Sequence, residues 1–576
     1  MSIPRPEHPR PQFARAQWLN LNGAWAFQRD PGRSGRARGL AGDAPYDTQI
    51  TVPFCPESRL SGVTDTDFLP AVWYRRAVTV PDAWAEQRVL LHFGAVDYDC
   101  EVWVNGVSAG THRGGYVGFT FDITALLHPG ENVLTVCAED DTRSPLQPTG
   151  KQSKRYASYE CMYTRTTGIW QTVWLEPVPR RYLGRPRITP DLENGGVDVE
   201  VPIVGDPRGL TLEVAAFLDD ERMVAQVKNV PPTGNVFRVR LTLDEVRPWS
   251  PESPTLYRLG LVMSDGKQWD VVSSYFGLRS ITLSGPAVLL NGKPVFQRLI
   301  LDQGFYPEGI YTAPSDAELR ADIERSMAMG FNGARLHQKV FEERFLYWAD
   351  KLGYLVWGEM ASWGLDLANP AALERFQTEW LDALARDYSH PSLVGWCPFN
   401  ETSTSQNPEV LRQIYRVTKA LDPTRPVIDT SGYVHVVTDV YDVHDYEQDP
   451  AVFAAHYDML RSQNAVAGWQ GTDLQPAPGQ PYFVSEYGGI WWNPGQAGDA
   501  AWGYGNRPQS AAEFIERFRG LAEALLRHPA MCALCYTQLT DVEQEVNGLY
   551  TYDRQPKFPP EAIKAIMAQK AAIEEG

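Results

Sequence analysis

Hydrophobic and polar positions alternate along the first half of the chain and take a different rhythm in the second. Short alternating runs recur at Trp73–Val80, Arg88–Phe93, Cys100–Val104, Val133–Ala138 and Thr172–Leu175. Period-2 alternation marks strands with one face buried. Gly, Pro, Asn and Asp punctuate the runs. Asn105-Gly106 is a hairpin signal, because both residue types accept the positive φ of a tight turn. Residues 1–180 therefore predict a β-sandwich of jelly-roll type. Strand-like runs continue at Val197–Val201, Leu210–Leu218, Val236–Leu243, Leu256–Val262 and Val271–Phe276. The length of this stretch, 181–277, suits an immunoglobulin-like sandwich.

From residue 278 to 576 the rhythm becomes strand, helix, strand, helix. Strand-like runs fall at Val295–Leu301, Gly333–His337, Leu355–Trp357, Leu393–Phe399, Val427–Asp429, Val440–His444, Tyr482–Glu486 and Cys532–Gln538. The clearest helix between them runs from Ala317 to Met329, with Leu319, Ile323 and Met327 on one face. Ser315 and Glu318 predict a capping box before it, and Gly330 a stop after it. Eight strands alternating with helices predict a (β/α)8 TIM barrel. An open doubly wound sheet is the competing arrangement, but no Gly-rich phosphate loop sits at a strand–helix turn to favour it.

Two segments carry the chemistry. Cys397-Pro398-Phe399-Asn400-Glu401 ends the fourth barrel strand, and Phe483-Val484-Ser485-Glu486-Tyr487-Gly488-Gly489 ends the seventh. Both glutamates then lie at the face where barrel enzymes keep their sites. Two carboxylates on opposite walls, roughly 5 Å apart, are what retaining glycoside hydrolysis requires. Asn400 can bond a sugar hydroxyl. Tyr446 and Tyr487 are candidates to orient one carboxylate through a phenol hydroxyl, each with a packed core aromatic as the plainer reading. Other strand-end candidates are Arg335, His337, Glu359, His444 and Gln538, and Trp491 joins the substrate-binding set. His390 reads better as a loop anchor. A charge such as Arg335 inside a barrel must be paired, with Glu486 or Glu359 the simplest partners.

Composition narrows the partners. A formal net charge of −18 argues against nucleic acid or an anionic membrane, which need a basic face. It also disfavours a polyanionic substrate unless a local basic pocket overrides it. The 18 Trp and 26 Tyr mostly suit sandwich cores, with a minority available to stack on sugar rings. Seven Cys without framework spacing point to a reducing compartment. Cys532-Ala533-Leu534-Cys535 lies in a strand-like run, where residues three apart face opposite ways, so it reads as packing rather than metal or redox chemistry. The Pro- and Arg-rich start shows no signal peptide, which reads as cytoplasmic.

Motifs spread over essentially the whole chain make the reading specific. They include Leu21-Asn22-Gly23-Ala24-Trp25, Val52-Pro53, Trp73-Tyr74-Arg75-Arg76, Val102-Trp103-Val104-Asn105-Gly106 and Gly168-Ile169-Trp170-Gln171. In the barrel they include Asn332 to Arg335, His390-Pro391-Ser392, Trp396 and both glutamate segments. In these the chain resembles glycoside hydrolase family 2, the family of β-galactosidases, β-glucuronidases and β-mannosidases. The resemblance implies a jelly roll, an immunoglobulin-like sandwich and a (β/α)8 barrel. It implies Glu401 as acid/base, Glu486 as nucleophile, and Asp97 as a first-domain residue reaching towards the sugar. No cofactor or metal is expected, and a homo-oligomer is open.

Departures from the family bear on the sugar. Family β-glucuronidases carry Asn-Lys-Lys-Gly after the last strand, where this chain has Val546-Asn547-Gly548-Leu549. The Ser-His-Tyr-Pro run after strand two is replaced by Leu336-His337-Gln338-Lys339, and the tryptophan-rich end of strand eight by Tyr536-Thr537-Gln538-Leu539. These favour a neutral terminal sugar, with galactose as the default. A furanoside, arabinoside, mannoside or glucuronide stays open, as does a non-catalytic carbohydrate-binding relative.

Overall fold

The structure, a computed structural model, describes residues 3–219, 222–403, 405–458, 460, 476–495 and 501–575. The N-terminal part packs a six-stranded antiparallel sheet against a four-stranded one. The six run in the order Thr48–Val52, Gly23–Arg29, Ala71–Thr79, Glu131–Glu139, Asp99–Val104, Val107–Arg113. The four are Leu19–Asn20, Val173–Val178, Arg88–Phe93 and Phe119–Asp122. Alternating apolar residues from both, among them Trp25, Val72, Tyr74, Leu91, Val102 and Val136, fill the space between. Asn105 and Gly106 take φ of 51° and 78°, and Val104 pairs with Val107 around them. This is the two-residue hairpin that Asn-Gly favours.

The second part is a pair of antiparallel sheets. Tyr257–Ser264 shows why it is a sandwich: Tyr257, Leu259, Leu261 and Met263 are buried in strict alternation, facing a core shared with Val197, Leu212 and Phe237. Arg15, almost fully buried, ties the two sandwiches together through Asp270 and Glu176.

The third part carries the site. Seven parallel strands run in the order Leu393–Cys397, Leu355–Glu359, Gly333–Leu336, Gln297–Asp302, Met531–Thr537, Tyr482–Gly488, Tyr441–Asp445. Val427 bridges to Trp396, and Thr430–Ser431 pairs with Phe399–Asn400, which puts the remaining strand beside the fourth. Side chains complete the join to Tyr441–Asp445: Asp442 accepts from the Ser431 hydroxyl at 2.9 Å and from Gly432 N–H at 3.1 Å. The helix over Asp316–Ala328 is capped by Ser315, whose hydroxyl accepts from Glu318 N–H at 3.2 Å, and Gly330 follows it at φ 89°. The reciprocal half of the predicted capping box is not made; the Glu318 carboxylate pairs with Arg325 at 2.5 Å instead. Cys532 and Cys535 are buried and unbonded to each other.

Candidate active site

The strand ends position the charged residues. Arg335 leaves the second barrel strand pointing inward and is completely buried. Its guanidinium donates to Glu486 Oε1 and to Ser431 Oγ. It also donates to Asn400 Oδ1 at 3.3 Å and lies 3.4 Å from Glu359 Oε2. Both predicted partners of Arg335 are therefore engaged. One planar fork meets several acceptors at once, which a lysine could not do. Glu359 sits behind His337, whose Nδ1 is 3.0 Å from it, and accepts Gln338 N–H at 3.0 Å. Burial pushes the Glu359 carboxyl up to about 7, against the opposing pull of Arg335. Burial, with Lys151 and Arg335 nearby, holds His337 well below the ordinary histidine value.

Glu486 and Glu401 face each other over this base. A carboxylate oxygen of each and a ring nitrogen of His444 lie within 4.8 Å of one another. That spacing is closer to the roughly 5 Å of a retaining pair than to the about 6.5–9.5 Å of an inverting one. His444 Nδ1 is 2.8 Å from Glu401 Oε1 and 3.4 Å from Glu486 Oε2. Tyr446 donates its phenol hydrogen to Glu486 Oε2 at 2.5 Å. Burial alone would raise Glu486, but His444, Arg335 and the Tyr446 hydroxyl together hold it far below the usual carboxylate range. Burial also opposes charge on His444, yet Glu486 and Glu401 keep it above the ordinary value. Glu401 adopts φ 50°, a left-handed backbone that non-glycine residues take rarely and that concentrates at functional sites. Glu401, His444 and Glu486 have donor types that a divalent cation accepts. However, His444 Nδ1 is already engaged with both carboxylates, and Arg335 and Tyr446 occupy Glu486.

These groups line a cavity of about 380 Å³. Of the residues singled out in the sequence, His337, Asn400, Glu401, His444, Tyr446 and Glu486 reach it. Asn400 Nδ2 is buried there with no partner among the described residues. Arg335 and Glu359 lie directly behind.

Three predicted residues are elsewhere. Asp97 is fully buried in the N-terminal part, where its Oδ2 accepts from Gln152 Nε2 at 2.9 Å. Gln538 is also fully buried, and its amide donates to Asn547 Oδ1 at 2.8 Å, leaving Thr537 to face the cavity. Trp491 turns away, its ring 5.8 Å from the Arg507 guanidinium. The aromatic wall is instead Trp363, Tyr433, Trp502 and Tyr504, the last stacked on Tyr446 with ring centroids 3.4 Å apart. Tyr487 points to the opposite face of its strand from Glu486, against Tyr536, as alternation demands. His390 is a structural anchor, 2.5 Å from Asp350.

Sequence reasoning missed Lys151, Trp363, Trp502, Tyr504 and Glu545, all cavity residues in irregular segments. Gly150 was the available clue beside Lys151. Its φ is 56°, and a Cβ there would lie 2.3 Å from Gln338 O, so the loop can press on the barrel only with glycine.

Models for three domains of one family match the chain in succession. They are the glycosyl hydrolases family 2 sugar binding domain over residues 39–176, the domain named simply glycosyl hydrolases family 2 over 182–279, and the family's TIM barrel domain over 312–570. The chain belongs to glycosyl hydrolases family 2. Among its relatives, a β-glucuronidase of Paenibacillus borealis is 25% identical over 607 residues, covering 95% of this chain and 96% of its own. The β-glucuronidase of Canis lupus familiaris is 27% identical over 549 residues, covering 84% and 79%. Solved structures share the fold. A Lactobacillus rhamnosus β-glucuronidase superposes with a TM-score of 0.81 at 19% identity, covering 100% of both chains. A Dictyoglomus thermophilum β-D-glucuronidase gives 0.78 at 21%, covering 98% of both. The chain is a retaining family 2 glycosidase. The default to galactose finds no support in these relatives and is corrected below.

Proposed function

We propose that the protein is an exo-acting retaining β-glucuronidase, releasing a terminal β-linked glucuronic acid. The chemistry rests on the carboxylate pair within 4.8 Å and on the unequal environments of its members. Glu486, kept ionised by Arg335, His444 and Tyr446, attacks the anomeric carbon. Glu401, on the facing strand end, protonates the leaving oxygen and then activates the water that releases the covalent intermediate. Asn400 Nδ2, buried and unpartnered among the described residues, supplies a bond to a sugar hydroxyl. Bonds of that kind strengthen as the oxocarbenium-like transition state forms. A cavity of about 380 Å³ takes one sugar ring with the leaving group at its mouth.

The choice of sugar rests on the Paenibacillus relative, a β-glucuronidase that matches 95% of this chain. A panel of 4-nitrophenyl β-D-glycosides tests it: glucuronide, galacturonide, galactoside, glucoside, mannoside and the galacto- and arabinofuranosides. The glucuronide is expected to give the highest kcat/KM. A neutral pyranoside or furanoside turned over faster would sink the choice of sugar while leaving the two-glutamate mechanism standing.

A further inference from the structure

Among the described residues, the cavity wall holds one cation that no catalytic group claims. Lys151 comes from the N-terminal part, is only 6% exposed, and lines the cavity that holds Glu401 and Glu486. No carboxylate among the described residues lies within ion-pair distance of its ammonium. Its neighbours are uncharged: Nζ lies 4.1 Å from the centre of the Trp363 ring and hydrogen-bonds the Cys161 thiol.

The other cations near the barrel mouth among the described residues are committed. Arg335 is bound to Glu486 and Glu359 and does not reach the cavity. Lys339 is spent on the carbonyls of Gly304 and Tyr311. Lys557 is spent on Asp541 and Trp492 O, both at 2.5 Å. His444 is engaged with the two glutamates. The loop after the last strand, Val546-Asn547-Gly548-Leu549, carries no cation at all.

The backbone that presents Lys151 is fixed on both sides. Thr149 and Gly150 N–H donate to Trp363 O in the barrel at 3.0 and 3.2 Å. Lys151 O accepts from Tyr163 N–H at 2.8 Å. The next residue, Gln152, is gripped by Asp97 and by Thr166 N–H. Asp97 therefore serves the site indirectly, by bracing the loop that carries the lysine. Burial disfavours an ammonium here, but Cys161, Glu545, Glu486 and Glu401 more than offset it, so the group stays charged at neutral pH. A buried ammonium that is preorganised and lacks a close carboxylate is suited to an anionic ligand.

We infer that Lys151 forms the anion subsite of this cavity, binding the carboxylate of an acidic terminal sugar. The inference rests on the glucuronide reading above. The test compares wild type, Lys151→Ala and Lys151→Arg on 4-nitrophenyl β-D-glucuronide and β-D-glucoside, which differ only at C6. Lys151→Ala is expected to lower kcat/KM on the glucuronide by roughly 100-fold, mainly through KM, because the substrate carboxylate is then buried unpaired. Activity on the glucoside should stay within about threefold, and Lys151→Arg should recover part of the glucuronide activity. An equal loss on both substrates would assign Lys151 to loop structure and overturn the inference. So would undiminished glucuronide selectivity in Lys151→Ala, with the glucuronide reading intact. A wild-type enzyme that prefers the glucoside would overturn the glucuronide reading itself, and the lysine's role with it.

Discussion

Arg335 and Glu486 face each other across the barrel, and the guanidinium of one donates to the carboxylate of the other. They come from its second and seventh strands. Both are buried, and the same guanidinium also steadies Glu359 and Asn400. This one cation fixes the rotamer of Glu486, the proposed nucleophile, helps keep it ionised and balances a second carboxylate beneath it. Binding and catalysis therefore share their electrostatic foundation with the stability of the barrel core.

Removing Arg335 should then cost both stability and activity. Arg335→Ala leaves the Glu486 and Glu359 carboxyls buried without their counter-charge, a loss of about 3–5 kcal/mol for such sites. The barrel's calorimetric transition should fall on the order of 10 °C. Arg335→Lys should recover only part of this, since a point charge cannot span Glu486, Glu359, Asn400 and Ser431 together. A transition unchanged in Arg335→Ala would mean that the buried pairing is not what holds this region.

The two glutamates should separate by their products. Glu401→Ala is expected to lose about 10²–10⁴-fold in kcat/KM on poor leaving groups and far less on activated aryl glycosides, because only the former need protonation. Added azide should rescue it and give a glycosyl azide of retained β configuration. Glu486→Ala should lose at least about 10⁴-fold on every substrate. With azide and an activated substrate it should give the inverted α product, since azide then enters where the carboxylate stood. NMR of the anomeric proton distinguishes the two. Matching configurations from both variants would refute the division of roles.

The parts of this site that were legible in the sequence are those that regular strands deliver. Glu401, Glu486, Arg335 and His444 sit at strand ends, where periodicity gives both the strand and the direction of its side chains. Tyr487 shows the same rule from the other side: one step past Glu486, it faces the helices. Beyond a strand's last pair the rule has no hold. Gln538 and Trp491 follow their strands closely, yet local packing turns one onto Asn547 and the other towards Arg507. Lys151, Trp502 and Tyr504 come from irregular segments without periodicity, so only the fold brings them to the cavity. Asp97 lies near the right loop, but one hydrogen bond behind it rather than in the cavity.

Stability should also report the join between the fifth and sixth barrel strands. His435 is buried there, with Nδ1 2.7 Å from Asp429 Oδ1 and Nε2 3.1 Å from Asp442 Oδ1. Burial works against the imidazolium, but the two aspartates outweigh it and push His435 up to about 10, from an ordinary 6.5. Below pH 6.5 the ring is protonated whether the chain is folded or not, and the stabilisation is fully present. Between 6.5 and about 10 the folded state holds a proton that the unfolded state has lost, so stability falls as pH rises, by up to about 1.4 kcal/mol per unit. Lys339 works the opposite way. Burial lowers it to about 7, so its cost to folding fades as pH climbs towards 10.5. The informative quantity is therefore the difference between wild type and His435→Gln, in which the lysine cancels. Thermal midpoints measured from pH 6 to 10 should show a gap that is widest at the acid end of this window and narrows steadily towards its alkaline end. A gap that stayed constant across the window would mean that His435 holds the join as a neutral hydrogen-bonding ring rather than as a cation between two aspartates.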